Sequence, residues 1–85
     1  MKKVIIYSAD WCPYCQKAKQ LLDSKGVNYK EFNVDTEPHL RDEIVARTGM
    51  KTIPQIFIED QFVGGYSELS KLESEGSLDK MLKEA

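Results

Sequence analysis

The feature that most limits what this chain can fold into is a change of period around residue 12. Val4-Ile5-Ile6-Tyr7 is a short apolar, β-prone run, while from Gln16 to Lys25 apolar positions recur at helical spacing. Between the two lies Trp11-Cys12-Pro13-Tyr14-Cys15, which holds both cysteines of the protein. A strand therefore hands over to a helix, and a Cys-x-x-Cys sits at the handover.

That position has chemical consequences. A thiol at a helix N-terminus faces unpaired backbone N–H groups and the positive end of the helix dipole. Both favour the thiolate, so the Cys12 pKa is expected to fall below that of a free cysteine. Pro13 suits the first helical position, where its missing N–H costs nothing. Cys15, nearly one turn on, is expected to be more shielded. The pair reads as an exposed, ionised attacker and a covered partner that resolves, an arrangement suited to thiolate attack on a disulfide sulfur. Two other uses of the motif carry less weight. A closed zinc site needs four ligands, and the chain offers no further cysteine and one histidine, His39. A structural disulfide across so short a loop would restrict the unfolded chain little.

Eighty-five residues suffice for one small core, so residues 1–85 are expected to form one domain. Met1-Lys2-Lys3-Val4 begins like an export signal, but the apolar run is too short and Asp10 follows soon after. No stretch is long enough to span a membrane. Two cysteines without an export signal suggest a reducing, cytoplasmic setting. The net charge of −2 conceals an asymmetry: residues 1–30 carry six lysines against Asp10 and Asp23, and the acidic excess follows. A mildly positive neighbourhood would favour an ionised Cys12 and attract an anionic thiol. Nucleic-acid binding has no support, because there is no basic cluster and the pI is about 5.3.

Along the chain, Lys3 to Tyr7 reads as a central strand. A helix follows from Pro13 to about Lys25, with Tyr14, Cys15, Ala18, Leu21 and Leu22 on its apolar stripe and Gly26 as its stop. Tyr29 to Val34 alternates as a second strand. Asp35 or Thr36 is expected to cap the next helix, with Pro38 in its first turn, Leu40, Ile44 and Val45 on its stripe, and Gly49 at its end. Strand, helix, strand with short links makes a parallel βαβ unit. Ile53 to Ile58 and Phe62-Val63, joined by Glu59-Asp60-Gln61, read as an antiparallel hairpin. Ser67 is placed as the cap of a helix bearing Leu69 and Leu72, and Ser77 as the cap of a last short helix with Leu78, Met81 and Leu82. The order β-α-β-α-β-β-α gives an α/β fold, a mixed sheet with helices on both faces.

Two further segments can reach the cysteines. Ile53–Pro54 is a candidate cis bond, against the plain alternative of a trans proline opening a strand. Gly64-Gly65 precedes a helix start whose N–H groups could hold a carboxylate, against the alternative of an ordinary turn. His39 reads as a surface residue, and Tyr7 and Tyr29 as strand residues.

With these segments in view, the chain resembles the glutaredoxins, of the small bacterial dithiol kind. Cys12-Pro13-Tyr14-Cys15 is similar to that group's active-site tetrapeptide, Thr52-Ile53-Pro54 to its Thr-Val-Pro segment, and Gly64-Gly65-Tyr66-Ser67-Glu68 to its Gly-Gly-Tyr/Cys-Ser/Thr-Asp segment. The likeness covers essentially the whole chain. It implies a thioredoxin fold of four strands with Pro54 cis, and a redox-active disulfide between Cys12 and Cys15. It also implies glutathione as a co-substrate, with no permanently bound cofactor or metal. Cys12 would join the glutathione sulfur, flanked by Tyr14. Ile53, between Thr52 and Pro54, would pair its backbone with the cysteinyl part. Ser67 and Glu68, with backbone N–H groups at that helix start, would hold the γ-glutamyl end, and Gly65 and Tyr66 would belong to the same glutathione site. The sequence departs from the family at Ala9, where many relatives carry a lysine for the glycyl carboxylate, and at Met50, where some carry a polar or basic residue. Lys51 is the cation left for that end. Glu68 is one methylene longer than the usual Asp, and Trp11 resembles the residue before the first cysteine of thioredoxin.

The resemblance implies a glutathione-dependent oxidoreductase that reduces protein–glutathione mixed disulfides and protein disulfides, as a monomer, with no nucleic-acid or membrane partner. Two other functions are compatible with such a chain. One is an iron–sulfur carrier, a dimer sharing a cluster through Cys12 and glutathione. The other is a hydrogen donor reduced by thioredoxin reductase, towards which Trp11 points.

Overall fold

The computed structural model describes residues 2–83; Met1, which heads the run weighed as an export signal, lies outside them. The elements are β1 (Val4–Ser8), α1 (Pro13–Ser24), β2 (Tyr29–Asn33), α2 (Pro38–Thr48), β3 (Gln55–Ile58), β4 (Gln61–Gly64), α3 (Tyr66–Ser74) and α4 (Ser77–Leu82). They build a four-stranded sheet in the order β2-β1-β3-β4. β1 runs parallel to β2 and antiparallel to β3, and β3 and β4 form the antiparallel hairpin. The expected mixed sheet and central first strand are therefore present.

Period-2 alternation in β1 sends Val4 and Ile6 to one face and Tyr7 to the other. On the first face Val4, Ile6, Ile56 and Ile58 meet Ala18 and Leu22 of α1, Leu69 of α3, and Leu78 and Leu82 of α4. Each fully buried Leu or Ile there contributes about 1.5–3 kcal/mol relative to exposure. On the second face the Tyr7 ring stacks on Phe32 at 5.2 Å and meets Phe57 edge-on at 6.1 Å. Arg47 of α2 lies over the Phe57 ring at 4.4 Å, so α2 covers this face. Tyr14 departs from the expected α1 stripe. It is 59% exposed, its ring turned towards Tyr66 at 6.2 Å and lying under the Lys17 ammonium at 5.2 Å.

Three helix starts differ from expectation, each for a local reason. The Asn33 side-chain oxygen accepts the N–H groups of Asp35 (2.9 Å) and Thr36 (3.2 Å), which commits both residues to a turn. α2 consequently starts after Glu37, with Pro38 as its first residue. At α3 the N-cap is Gly65, and the Glu68 side chain reaches back to the Gly65 N–H, so Ser67 lies inside the helix. At α4 the cap is Gly76, with φ +75°, which leaves Ser77 as the first helical residue. Pro54 precedes β3 and does not open it.

Candidate active site

Cys12 is the N-cap of α1, with extended backbone angles of φ −86° and ψ 111°. Its Sγ accepts the Cys15 N–H at 3.1 Å, where a cap hydroxyl or carboxylate would ordinarily sit. The loop into the helix is closed by the Cys12 N–H donating to the Ala9 carbonyl at 3.3 Å. Both cysteines are free thiols here. Cys12 is not the exposed sulfur that was expected: the residue is 4% accessible. It packs in a small apolar cluster with Ala9, Cys15, Val34 and Leu40, edged by Ile53, whose carbonyl lies 3.9 Å from its Sγ. Cys15 is fully buried, as expected. Burial first, and then its contact with the Cys12 sulfur, pushes the Cys15 thiol up to about 12.

Beside the Ile53 carbonyl opens a groove of about 370 Å³. Tyr14 contributes from α1, the loop after α2 supplies Met50, Thr52, Ile53 and Pro54, and Gly65 to Glu68 come from the start of α3. Ile53–Pro54 is a cis bond. The Tyr14 and Tyr66 rings lie beside each other at the groove, 6.2 Å between centroids and 31° from parallel. At the α3 end the Glu68 carboxylate is held twice. One oxygen accepts the Gly65 N–H at 2.7 Å, and the other accepts the Ser67 hydroxyl at 2.9 Å. The Gly65 N–H and then the Ser67 hydroxyl hold the Glu68 carboxyl below the usual carboxylate range. The two glycines make room for this arrangement. Gly64 has φ +122°, and a Cβ on it would stand 2.7 Å from a Glu68 oxygen, while one on Gly65 would stand 3.3 Å from the Pro54 carbonyl.

Comparison with known proteins agrees with this geometry. The family model described as Glutaredoxin matches residues 4–63. The chain belongs to the glutaredoxin family. It is 48% identical to the glutaredoxin of Pseudomonas aeruginosa over 82 residues, covering 96% of this chain and 98% of that one. The solution structure of the Brucella melitensis glutaredoxin superposes with a TM-score of 0.86 at 48% identity, covering 98% of this chain and 90% of the other. A buckwheat glutaredoxin–glutathione complex superposes with a TM-score of 0.88 at 28% identity, covering 93% and 74%. The fold of this glutaredoxin is thus the α/β thioredoxin fold expected from its sequence.

The groove gathers the expected glutathione contacts of this glutaredoxin with one exception. Lys51 does not line it. That side chain sits with Arg41, Asp42, Val45 and Ala46 in a separate depression against α2. Its neighbours Met50 and Thr52 have both their carbonyls drawn inward by hydrogen bonds from the Gln55 carboxamide, which leaves Lys51 on the outer side of the loop. Met50 occupies that stretch of the groove instead. Sequence reasoning read Gln55 only as part of the third strand and gave it no role at the site, although it is 1% accessible. The available signal was a polar residue heading the otherwise apolar run Gln55-Ile56-Phe57-Ile58. Ser8 was passed over likewise. It is fully buried, and its hydroxyl donates to Glu31, which also pairs with Lys19 at 2.9 Å. His39 is a surface residue, 3.8 Å from Glu37.

Proposed function

We propose that this glutaredoxin is a glutathione-dependent thiol–disulfide oxidoreductase acting on protein–glutathione mixed disulfides and protein disulfides. The observation that carries the proposal is the Cys12 sulfur at the N-cap of α1, 3.9 Å from the Ile53 carbonyl at the edge of the groove. A helix N-terminus favours negative charge on such an atom, and the thiolate is the nucleophile in disulfide exchange. The buckwheat relative, solved as a glutathione complex, supports the choice of thiol. Ile53, between Thr52 and Pro54, offers backbone to the cysteinyl part. Tyr14 and Tyr66 flank the sulfur. Gly65, Ser67 and Glu68 meet the γ-glutamyl end, whose ammonium suits the Glu68 carboxylate. Lys51 has no contact in this assignment.

Two routes follow. In the first, the Cys12 thiolate attacks the glutathione sulfur of a mixed disulfide, and the protein thiolate leaves. A second glutathione thiolate then attacks the glutathionyl sulfur, releasing glutathione disulfide and restoring the Cys12 thiolate. In the second, Cys12 attacks a protein disulfide and Cys15, after losing its proton, displaces the remaining protein thiolate. The Cys12–Cys15 disulfide so formed is reduced by two glutathiones. Residues 1–85 act as one monomeric domain in a reducing, cytoplasmic setting, with glutathione as co-substrate and neither nucleic acid nor membrane as partner.

The test is reduction of a small glutathione mixed disulfide by glutathione with glutathione reductase, against the same reaction driven by thioredoxin reductase. Turnover in the first system is the expected result. Turnover in the second alone would replace the proposal with a thioredoxin-like donor.

A further inference from the structure

The two walls of the groove differ in what holds them. Tyr14 and the Tyr66–Glu68 stretch stand on helices. Met50 to Pro54 stand on no regular element: outside helices and strands, none of the backbone-to-backbone hydrogen bonds among the described residues involves residues 50–54. That freedom suits a wall whose N–H and C=O groups must pair with an extended peptide-like ligand. It also means that something other than the backbone must hold the wall in place, because ordering a loose loop on binding costs affinity.

Gln55 supplies that support. Its carboxamide nitrogen donates to the Met50 carbonyl at 2.8 Å and to the Thr52 carbonyl at 3.0 Å, using both of its hydrogens. Its oxygen accepts the Thr48 hydroxyl at 2.8 Å. The Thr48 oxygen accepts the Met50 N–H at 3.1 Å, so both polar backbone groups of Met50 are tied through this pair. The carboxamide is buried beneath the loop with every polar atom satisfied. A buried network of this kind is costly to leave partly made, which fixes one arrangement of the loop.

We infer that Gln55, with Thr48, is a positioning residue for substrate: it holds the Met50–Pro54 wall in its binding-competent shape without touching the ligand. This inference rests on the proposed glutathione site. Gln55→Leu keeps the bulk and strands two carbonyls. Gln55→Glu sets a carboxylate oxygen against the same two carbonyls. Thr48→Val removes the other half of the pair, and Thr48→Ser restores its hydroxyl.

The experiment is steady-state reduction of a glutathionylated peptide, with melting curves for every variant and Leu78→Ala as a control. Leu78 is fully buried in α4, away from the groove, and its truncation lowers stability by a core mechanism alone. In Gln55→Leu the peptide KM is expected to rise about tenfold, with kcat and the rate of Cys12 alkylation nearly unchanged. Thr48→Val should shift KM in the same direction by less, Thr48→Ser should recover it, and Leu78→Ala should leave it in place. If Gln55→Leu does not fold, the Thr48 pair decides alone. Unchanged KM in the Gln55 and Thr48 variants, or an equal shift in Leu78→Ala, would overturn the inference while leaving the glutathione assignment intact. Absence of glutathione-dependent turnover in the wild type would overturn both.

Discussion

On the α1 side of the groove, the residues that matter are neighbours in the chain. Cys12 caps the helix that Pro13 starts, and Cys15 closes the cap with its own N–H. On the facing side, the wall from Met50 to Pro54 owes its shape to Thr48 and Gln55, whose side chains meet beneath it. The first side is specified locally and carries the chemistry. The second is specified by side-chain packing and carries recognition. Chemistry and recognition should therefore fail separately.

The largest effect that bears on this separation comes from the α1 side. Cys12→Ser is expected to lower both glutathione-linked activities by several orders of magnitude, whereas Cys15→Ser should retain reduction of glutathione mixed disulfides and lose reduction of protein disulfides. Assaying both variants on both substrates checks this, and substantial deglutathionylation by Cys12→Ser would contradict the assigned nucleophile.

A smaller effect comes from the start of α3, which holds Glu68 at the end of the groove. Gly64→Ala puts a Cβ into both a positive-φ position and the space of the Glu68 carboxylate. The expected loss is about 1–3 kcal/mol in denaturant unfolding. KM for the glutathionylated peptide should rise while the alkylation rate of Cys12 stays put. Wild-type stability and KM in this variant would mean that the Glu68 position is not set by the glycine.

The smallest effect is a slope. Cys15 is shifted from 9.0 up to about 12, so the native state holds its proton more tightly than the unfolded state does. The stability this provides is complete below pH 9.0 and is lost as pH rises towards about 12. The denaturant midpoint of the wild type should accordingly fall more steeply across that window than that of Cys15→Ala, by at most about one proton. Parallel slopes would show that the thiol is not shifted.

The same division governs how much the sequence discloses. The strands and helices follow from apolar periodicity, and the cysteine pair follows from a single handover between two periods. Ser67, Ser77 and Thr36 are good capping residues by type, yet none caps a helix. Asn33 reaches the N–H of Thr36 first, Glu68 reaches the Gly65 N–H, and Gly76 supplies a positive φ that Ser77 does not. Composition names the residues able to cap, while competition among neighbours decides which one does. Burial of Cys12 was hidden for a related reason: its cover comes from Val34, Leu40 and Ile53, which only the folded sheet brings near. Lys51 was placed in the groove by charge and proximity, and Gln55 holds the carbonyls on either side of it.

α1 and α3 lie side by side and point the same way. Tyr14 and Tyr66 mark their near ends, while Lys25, just past the end of α1, grips Glu73 of α3 at 2.6 Å and Asp79 of α4 at 3.0 Å. Parallel helices gather like poles. The groove receives two positive termini, and the opposite end of the molecule receives two negative ones, with Lys25 set among them as a counter-charge. Because α1 is roughly 18 Å long, this ion cluster is a full helix away from the sulfur at the other end. An anion at the groove therefore meets the starts of two helices rather than one, at the pole where the chemistry lies.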